Sequence, residues 1–574
     1  MAAVIWRSPR LRARLLRLWL WLRRAARSAV VAGAAGVIFS LNNPALGAGS
    51  LPIRAATITV AAGEVAAADN GLCSLIEAIH NANDTASGAV HADCASGDPT
   101  AEAVDTIALP SGSVFTLAAA DNQTYGASGL PVITGRTIIS GSHGTTIRRD
   151  AAAGPFRVLA VGREGQLDLN GITVSGGQAT SPASTIDVTY ATSGGGILNM
   201  GELRLQDTTL SGNTAAMGGG VYNVGRLGGS GAHFIHNDAA YDAAALLSLG
   251  HVGLDDVDIR ENGSRFSASA VANEGDMKLD GGYLIDNESP TGLSNRGELT
   301  IYSVVFENGG VGLDNTGQLT MEAVTLSGHE IALFNSATAL VNRTAIIDNG
   351  RGIINGRGRL TLVNSTLSGN QTGGDGGGIL VEGGEVDGSF DTISNNSAGR
   401  GGGLFVVGHY DDLGLYLCAQ GAVDLSYSII SGNHAPAGRE AYVERDVFRC
   451  AGSLSLNKSL LGHDGDAGVV NPYLSSSFVP DEPAAAILSH EWTQSAAATP
   501  HHPLSWGSPA VDALPNEACE LPPPFYAFDQ LLHDRNVDGD GRPSANECDI
   551  GAIEQQPLPY HVFAPFAGRG AAQR

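Results

Sequence analysis

Lysine is nearly absent: the 574 residues contain only Lys278 and Lys458. Basic residues as a class are scarce, 33 against 58 acidic, for a formal net charge of −25. Eight of the arginines fall within residues 1–28, where there is no acid, which leaves 25 basic residues for the rest of the chain. Such a surface repels nucleic acid and anionic membrane and suits neutral ligands or divalent cations. The lysine shortage also narrows polysaccharide lyase chemistry, whose base is typically Arg or Lys beside a calcium-neutralised uronate. Beyond the N-terminal region no stretch reaches the ~18 apolar residues of a spanning helix, so the mature chain has no integral membrane span. There is no G-x-S-x-G elbow for Ser/His/Asp catalysis and no phosphate-binding loop. The six cysteines form no C-x-x-C and no Cys/His cluster with zinc spacing, which leaves them a structural role.

The N-terminus reads as an export signal. An Arg-rich stretch is followed by the apolar run 29–41, a helix-breaking Asn-Asn-Pro, and small residues Ala45, Leu46 and Gly47 near a cleavage point. Alternatives are an uncleaved N-terminal anchor and a start codon further downstream, since 15–22 offers a second apolar core. Export makes cysteine oxidation available. Six cysteines allow 15 connectivities. Sequence proximity favours three local pairs, Cys73 with Cys94, Cys418 with Cys450, and Cys519 with Cys548.

Glycine is the abundant residue, with 77 copies. That is about 13% of the chain, close to twice the usual ~7%. The glycines lack a period of three, which excludes collagen. Short β-type apolar runs recur, which argues against simple disorder. One unit repeats through the middle of the chain, as GGGILNMGELRLQDTTLSGNTA from Gly194 and GGGVYNVGRLGGSGAHFIHNDA from Gly218. Its first Asn falls at Asn199, Asn223, Asn273, Asn295, Asn315, Asn335 and Asn355, with Ser248 filling the gap. A second Asn follows at Asn213, Asn237, Asn262, Asn287, Asn308, Asn349 and Asn370, and His329 replaces it in one unit. Steps of roughly 20–25 residues with Asn in register are the signature of a β-solenoid. Leu203-Arg204-Leu205, Leu299-Thr300-Ile301 and Leu360-Thr361-Leu362 alternate as strands with one inward face. On this reading glycine supplies positive φ at the coil bends, and asparagine tolerates the left-handed region while bonding neighbouring backbone in a structural ladder. With ~4.8 Å per coil, roughly fifteen coils make a rod of about 70 Å. Residues 72–83 break the pattern as a short amphipathic helix through Leu75, Ile76 and Ile79, the expected device for covering an open coil end.

The stretch Cys73-Ser74-Leu75-Ile76-Glu77-Ala78-Ile79-His80-Asn81-Ala82-Asn83 resembles the CSLREA motif that opens a family of bacterial exported proteins, with Ile76 in place of the usual Arg. GLPVITG at 129–135 and LNGITVSGG at 169–177 share that family's texture. The GGGI-N units and Phe234-Ile235-His236-Asn237 resemble the polymorphic outer-membrane protein repeat. SPAVDA at 508–513, Asp529-Gln530 and CDIGAIE at 548–554 resemble the choice-of-anchor Q domain that closes such chains. The resemblance implies a right-handed parallel β-helix and, since most members have no assigned activity, says little about function. Proteins with the outer-membrane repeat end in a translocator barrel, for which no segment is long enough here. Release, or attachment through a partner, is expected instead.

The sharpest chemical constellation is Asp534-Arg535-Asn536-Val537-Asp538-Gly539-Asp540-Gly541, with oxygen side chains at positions 1, 3, 5 and 7 and Gly at 6, as in a calcium loop. Ala545 stands where that loop has its Glu, so Glu547 or Asp549 would complete a structural site. The alternative is a solvated acidic turn locked by Cys548. The adjacent pairs Asp255-Asp256 and Asp411-Asp412 lack the signatures of polysaccharide-cutting β-helices, and Asp256 aligns with Asp207 as a repeat position. Lys278 lies between inward Met277 and Leu279 and points outward; His329 reads as a turn substitution.

The expected architecture is therefore all-β, a right-handed parallel β-helix with a short N-terminal capping helix and a disulfide-bridged C-terminal cap. Its sections are a signal peptide (1–48), a CSLREA-like cap with the first coils (49–190), the repeat array (191–465), a choice-of-anchor Q-like region (466–556) and a tail (557–574). The expected function is an exported, non-catalytic, adhesin-like surface for polysaccharide or cell-surface glycan. The alternative is a polysaccharide lyase or glycoside hydrolase.

Overall fold

A computed structural model describes residues 56–83, 90–98, 103–142, 144–180, 189–263, 268–410, 418–445, 450–471, 473–475, 477–494, 499–515, 528–535 and 546–556. All belong to one compact unit, Ile53–Arg574. The expected signal peptide and tail lie outside the described residues. So do Asp411, Asp412, Cys519, Asn536, Asp538 and Asp540, and the side chains of Cys418 and Glu547.

Apolar–polar alternation in short runs makes strands that can bury one face only against a copy of themselves. Each repeat contributes up to three strands, and successive repeats pair in parallel, residue against residue. In a first column, Ile197–Asn199 pairs with Leu159–Val161 on one side and Val221–Asn223 on the other. In a second, Glu202–Gln206 lies between Gln166–Asn170 and Arg226–Ser230. In a third, Thr209–Ser211 lies between Thr173–Ser175 and His233–Ile235. The result is a parallel β-helix, a 38-stranded sheet wound on itself. Inward residues stack into aliphatic rows, such as Leu167, Leu203, Leu227, Val252, Met277, Leu299 and Leu319, each at most 5% exposed. Each such side chain is worth about 1.5–3 kcal/mol of burial.

Two asparagine ladders run along the coil corners. In the first, Asn199 donates to Asn223 Oδ1 at 2.7 Å, and Asn223 to Ser248 Oγ at 3.0 Å. The same ladder continues as Asn273 to Asn295, Asn315, Asn335 and Asn355 at 2.8–2.9 Å. In the second, Asn213, Asn237, Asn262 and Asn287 are linked at 3.0–3.2 Å, and Asn349, Asn370, Asn396 and Asn433 at 2.8–3.0 Å. A third series, invisible to the repeat alignment, joins backbone N–H to side-chain oxygen from Thr344 through Ser365, Asp391, Ser428 and Ser459.

Asn308 is not a rung, contrary to the alignment. Gly309 pairs with His329 in register, while Asn308 sits at φ 57 and donates to Asp286 Oδ1. The missing rung side chain leaves the space that the His329 ring fills. A Cβ on Gly309 would come 3.5 Å from its Nδ1, and one on Gly312 3.1 Å from its Nε2. His329 is 4% exposed, neither ring nitrogen has a hydrogen-bond partner, and burial lowers its pKa to about 4.

Glycine takes positive φ at coil bends as expected, at Gly171, Gly212, Gly231, Gly281, Gly328 and Gly369 among others, and it has a second role beside that one. The left-handed corner that follows each second-column strand is held by Asp207, Asp256, Ser303, Ala323, Arg343, Asn364, Phe390, Tyr427 and Lys458 as well as by glycines, at a conformational cost of about 1 kcal/mol each. The first-ladder asparagines are not left-handed. Two residues beyond them stand Gly201, Gly225, Gly250, Gly275, Gly297 and Gly317, where the coils touch. A Cβ on Gly225, Gly250, Gly275 or Gly297 would lie 1.9–2.1 Å from the carbonyl oxygen of the glycine one coil earlier. Several of these glycines also donate N–H to the ladder, Gly275 to Asn273 Oδ1 at 3.2 Å. Close approach selects these glycines.

The N-terminal helix is Leu75–Asn83, three residues shorter than read from the sequence. Ser74 and Glu77 form a capping box that fixes the start: Glu77 N donates to Ser74 Oγ at 3.3 Å and Ser74 N to Glu77 Oε2 at 2.9 Å. Leu75 and Ile79 are fully buried, and the helix packs on Thr57–Thr59, Asp105–Ala108 and Arg136–Ser140, closing the first coils. Ile76, the departure from the motif, packs half-buried at the edge of the core. The Cys73–Cys94 disulfide is present, and Cys450 and Cys548 are each disulfide-bonded.

Two outcomes test these packing arguments. Gly275→Ala should lower stability by about 2–3 kcal/mol or more, read as a fall in melting temperature. Gly253→Ala, whose Cβ meets nothing within 4 Å, should leave it unchanged. For His329 the folded pKa lies below the unfolded one, so the stability it permits is full above about pH 6.5 and falls as pH drops toward 4. The loss amounts to about 3 kcal/mol. The melting temperature of His329→Asn should therefore rise relative to the parent as pH is lowered from 7 to 4. A pH-independent difference would refute it.

Candidate functional site

The three outward faces of the solenoid differ. On the first column most outward residues are apolar and covered, with Leu198, Leu247, Ile354, Leu380 and Phe405 at most 7% exposed. The polar Ser294 and Asp314 interrupt the row in the middle coils. Phe405 stacks on Tyr442 with centroids 5.3 Å apart. Arg400 lies over both rings and bonds Asp375 at 2.9 and 2.6 Å. This stack is internal packing.

The third column is open early and covered late. Its strand Thr209–Ser211 is half-buried outward, whereas Ala345–Ile347, Thr366–Ser368 and Thr392–Ser394 are buried on both sides. The cover is the C-terminal section, whose Ile487, Leu488, Ala510, Leu514, Cys548 and Ile550 pack on Phe390, Ile429 and Leu460. The residues that resemble the choice-of-anchor motif form its clasp. Arg535, fully buried, lies 4.2 Å over the Phe390 ring and donates to Asn364 Oδ1 at 2.8 Å and Gly551 O at 2.9 Å. Gln530 donates to Thr499 Oγ1 at 2.7 Å and accepts from Thr366 at 2.6 Å. Asp529 accepts the N–H groups of Leu531, His533 and Glu554 at 2.8–3.0 Å. Burial raises Glu554, and raises Asp549 to about 7; Asp391 is likewise held well above the usual range. These strongly shifted carboxyls sit in a dry clasp with one guanidinium among them, and they hold the section down.

The second column remains free along the solenoid. Its outward positions pair between neighbouring coils, Arg204 with Asp168 at 3.7 Å, His251 with Asp276 at 3.2 Å and Arg359 with Asp387 at 2.8 Å, and along one strand, Lys278 with Asp280 at 3.0 Å. Lys278 also lies 5.3 Å from the Tyr302 ring centre. Gly228 and Gly253, adjacent in register, leave a notch of about 290 Å³ bounded by Glu202, Arg204, Arg226, His251 and Asp276.

A larger cleft, about 710 Å³, opens between the last coils and the C-terminal section. Asn395, His434, Arg439, His463, Ser489 and His490 are among its lining residues. Glu440 lies fully buried behind Arg439 and His463 and ends the second asparagine ladder. It accepts Asn433 Nδ2 at 2.7 Å and stands 3.4 Å from His463 Nδ1 and 3.6 Å from Arg439 Nε.

The residues singled out from the sequence scatter over these places. Lys278 points outward as read, and Asp255 stands exposed on the free face. Asp256 and Asp207 occupy the same left-handed corner, φ 51 and 48, which confirms a repeat position. Of the calcium loop, Asp534 is exposed and its neighbour Arg535 buried, while Asn536, Asp538, Asp540 and the Glu547 side chain lie outside the described residues. Asp549 is buried in the clasp, where its carboxylate accepts Asp512 N and Gln555 N. Among the described residues no cluster of His, Cys, Asp or Glu is arranged to hold a metal. No helix among them is long and apolar enough to cross a membrane. Glu440, His463 and Arg535 carried no repeat signal: Glu440 and His463 meet once, at the end of a ladder, and Arg535 bonds Asn364 on a distant coil.

The sequence matches no family model and no curated protein. Two solved structures are similar in fold, the A-modules of the Azotobacter vinelandii mannuronan C-5 epimerases AlgE4 and AlgE6. Each is 14% identical, with TM-scores of 0.34 and 0.31, covering 65% and 66% of this chain and 90% of the respective module.

Proposed function

We propose that this chain is an exported, non-catalytic β-helix that binds polysaccharide along the outward face of its second column. The observation that carries the reading is the contrast between faces: among the described residues this one stays polar and open from the early coils to the late ones, whereas the third column is covered along its later coils. Several charges of the second column pair with one another. An extended polymer can lie on such a face, taking hydrogen bonds from hydroxyl, amide and charged groups at the ~4.8 Å spacing of the strands. Export is supported by the Arg-rich and apolar N-terminus and by the disulfides. Kinship with the CSLREA and choice-of-anchor Q proteins belongs to the same reading. Its support is that the motif residues Ser74, Glu77, Asp529 and Gln530 do structural work in the N-terminal cap and the clasp.

The hydrolase or lyase alternative has less behind it. His251 and Asp276, the acid–base pair at the notch, are 62% and 59% exposed, whereas acid–base catalysis gains from a site that excludes water. Incubated with uronate and neutral polysaccharides, the intact protein should bind at least one and shorten none. Tyr302→Ala with Arg204→Ala should weaken binding about fivefold, roughly 1 kcal/mol. Reproducible chain cleavage would overturn the reading.

The loop 534–547 is proposed to take structural calcium, because its side-chain donors are all oxygen, as a hard cation requires. Calcium would tie the loop between Arg535 and the strand Asn546–Cys548 and supply no chemistry. Chelation should lower the melting temperature of the C-terminal section by several degrees; a melt indifferent to calcium would remove the assignment.

A further inference from the structure

The chain carries 58 acidic residues against 33 basic, yet the cleft of about 710 Å³ has no carboxylate among its described lining residues. The charged and titratable groups that line it are Arg439, His434, His463 and His490. We propose that this cleft is a binding site for an acidic saccharide, a short run or chain end bearing carboxylate or sulfate.

The acids that face these groups stand behind or beside the cleft. Glu440 is fully buried, and Gly432 N, Asn433 N and Asn433 Nδ2 donate to it at 3.2, 3.3 and 2.7 Å. Those donors, with Arg439 and His463 at 3.6 and 3.4 Å, offset its charge from within the protein. Asp464 and Asp466 are exposed, 3.8 Å from His463 Nε2 and 3.3 Å from Arg439 Nη2. Arg439 is held in place, with Nη2 donating to Asp466 O at 3.1 Å and His463 O at 3.4 Å. A guanidinium fixed by backbone acceptors loses little entropy on meeting an anion. His434 belongs to the solenoid wall of the cleft and His490 to the C-terminal wall. His434 sits on a coil corner whose N–H bonds Asn396 O, and the His490 carbonyl accepts from Asn395 Nδ2 at 3.2 Å.

The remaining lining favours a sugar over a bare anion. About 710 Å³ exceeds what one inorganic ion needs and falls in the range of small-molecule sites. Ser394, Ser397 and Ser489 supply hydroxyls, while Ala435, Pro436 and Leu488 supply apolar surface for ring carbons. The site depends on tertiary structure alone, since one wall is solenoid corner and the other is C-terminal section.

The inference rests on the glycan-binding reading for its ligand class and on a separate place in the fold, so the two can fail separately. Short oligouronates, sulfated oligosaccharides and size-matched neutral oligosaccharides would be titrated into the intact protein by calorimetry. At least one acidic series should bind tenfold or more tightly than the neutral one, and the stronger of the two identifies the anion. His434→Gln with His490→Gln, both exposed positions, should weaken that binding about tenfold at an unchanged melting temperature, and Arg439→Gln should weaken it further. Tyr302→Ala with Arg204→Ala should leave it unchanged while weakening long-polymer binding. Equal affinity for acidic and neutral ligands, or unaltered affinity in the double histidine variant, would overturn the cleft assignment and leave the long face standing.

Discussion

Every coil of this protein must lie one strand spacing from the next, over the whole length of the array, with its backbone groups satisfied by its neighbours. That requirement governs the composition. Where corners of successive coils touch, any side chain beyond hydrogen collides with a carbonyl oxygen, and glycines such as Gly225, Gly250, Gly275 and Gly297 stack on one another. Beside them the asparagines convert the same spacing into a hydrogen-bond ladder, each amide serving its neighbour's oxygen and the next coil's backbone. Because each rung is buried, one defect must be filled. His329 occupies the gap beside Gly309 with two ring nitrogens left unpartnered, at a cost that a change of pH exposes.

The same spacing divides the surface into three kinds of face. Apolar outward residues on the first column cover one another in stacks, Leu198 with Tyr125 and Tyr222, and Leu380 with Phe405 and Tyr442, where Arg400 lies over both rings. The third column is sealed along its later coils by the C-terminal section, through a clasp in which Arg535 is surrounded by Asp529, Asp549, Glu554 and Asp391. The second column keeps a polar face open from the early coils to the late ones, and that asymmetry favours binding along the rod over chemistry at a point. Burial lifts Asp549 and Glu554 because protein surrounds them in the clasp.

Much of the fold was legible in the repeat. The alternation at Leu203 and Leu205, the first-ladder asparagines from Asn199 to Asn355, the outward Lys278 and the existence of the N-terminal helix all follow from periods that local sequence carries. That reading starts the helix three residues early because it passes over the Ser74–Glu77 cap. The Asn308 rung was misplaced because a coil one residue out of step shifts register, and adjacent Asn308 and Gly309 exchange roles. The glycines were assigned to positive φ when most of the touching ones serve contact, a distinction visible only with the neighbouring coil in place.

By itself the sequence determined the period, the inward rows, the ladders, the capping helix and the acidic character, because each is a local pattern repeated many times. Tertiary structure decided which face is free, where the C-terminal motif docks, and that His434, Arg439, His463 and His490 meet at one carboxylate-free cleft. Those facts depend on contacts between residues far apart in the chain. The Arg535–Asn364 bond, for example, spans 171 positions, and no periodicity encodes a contact made once.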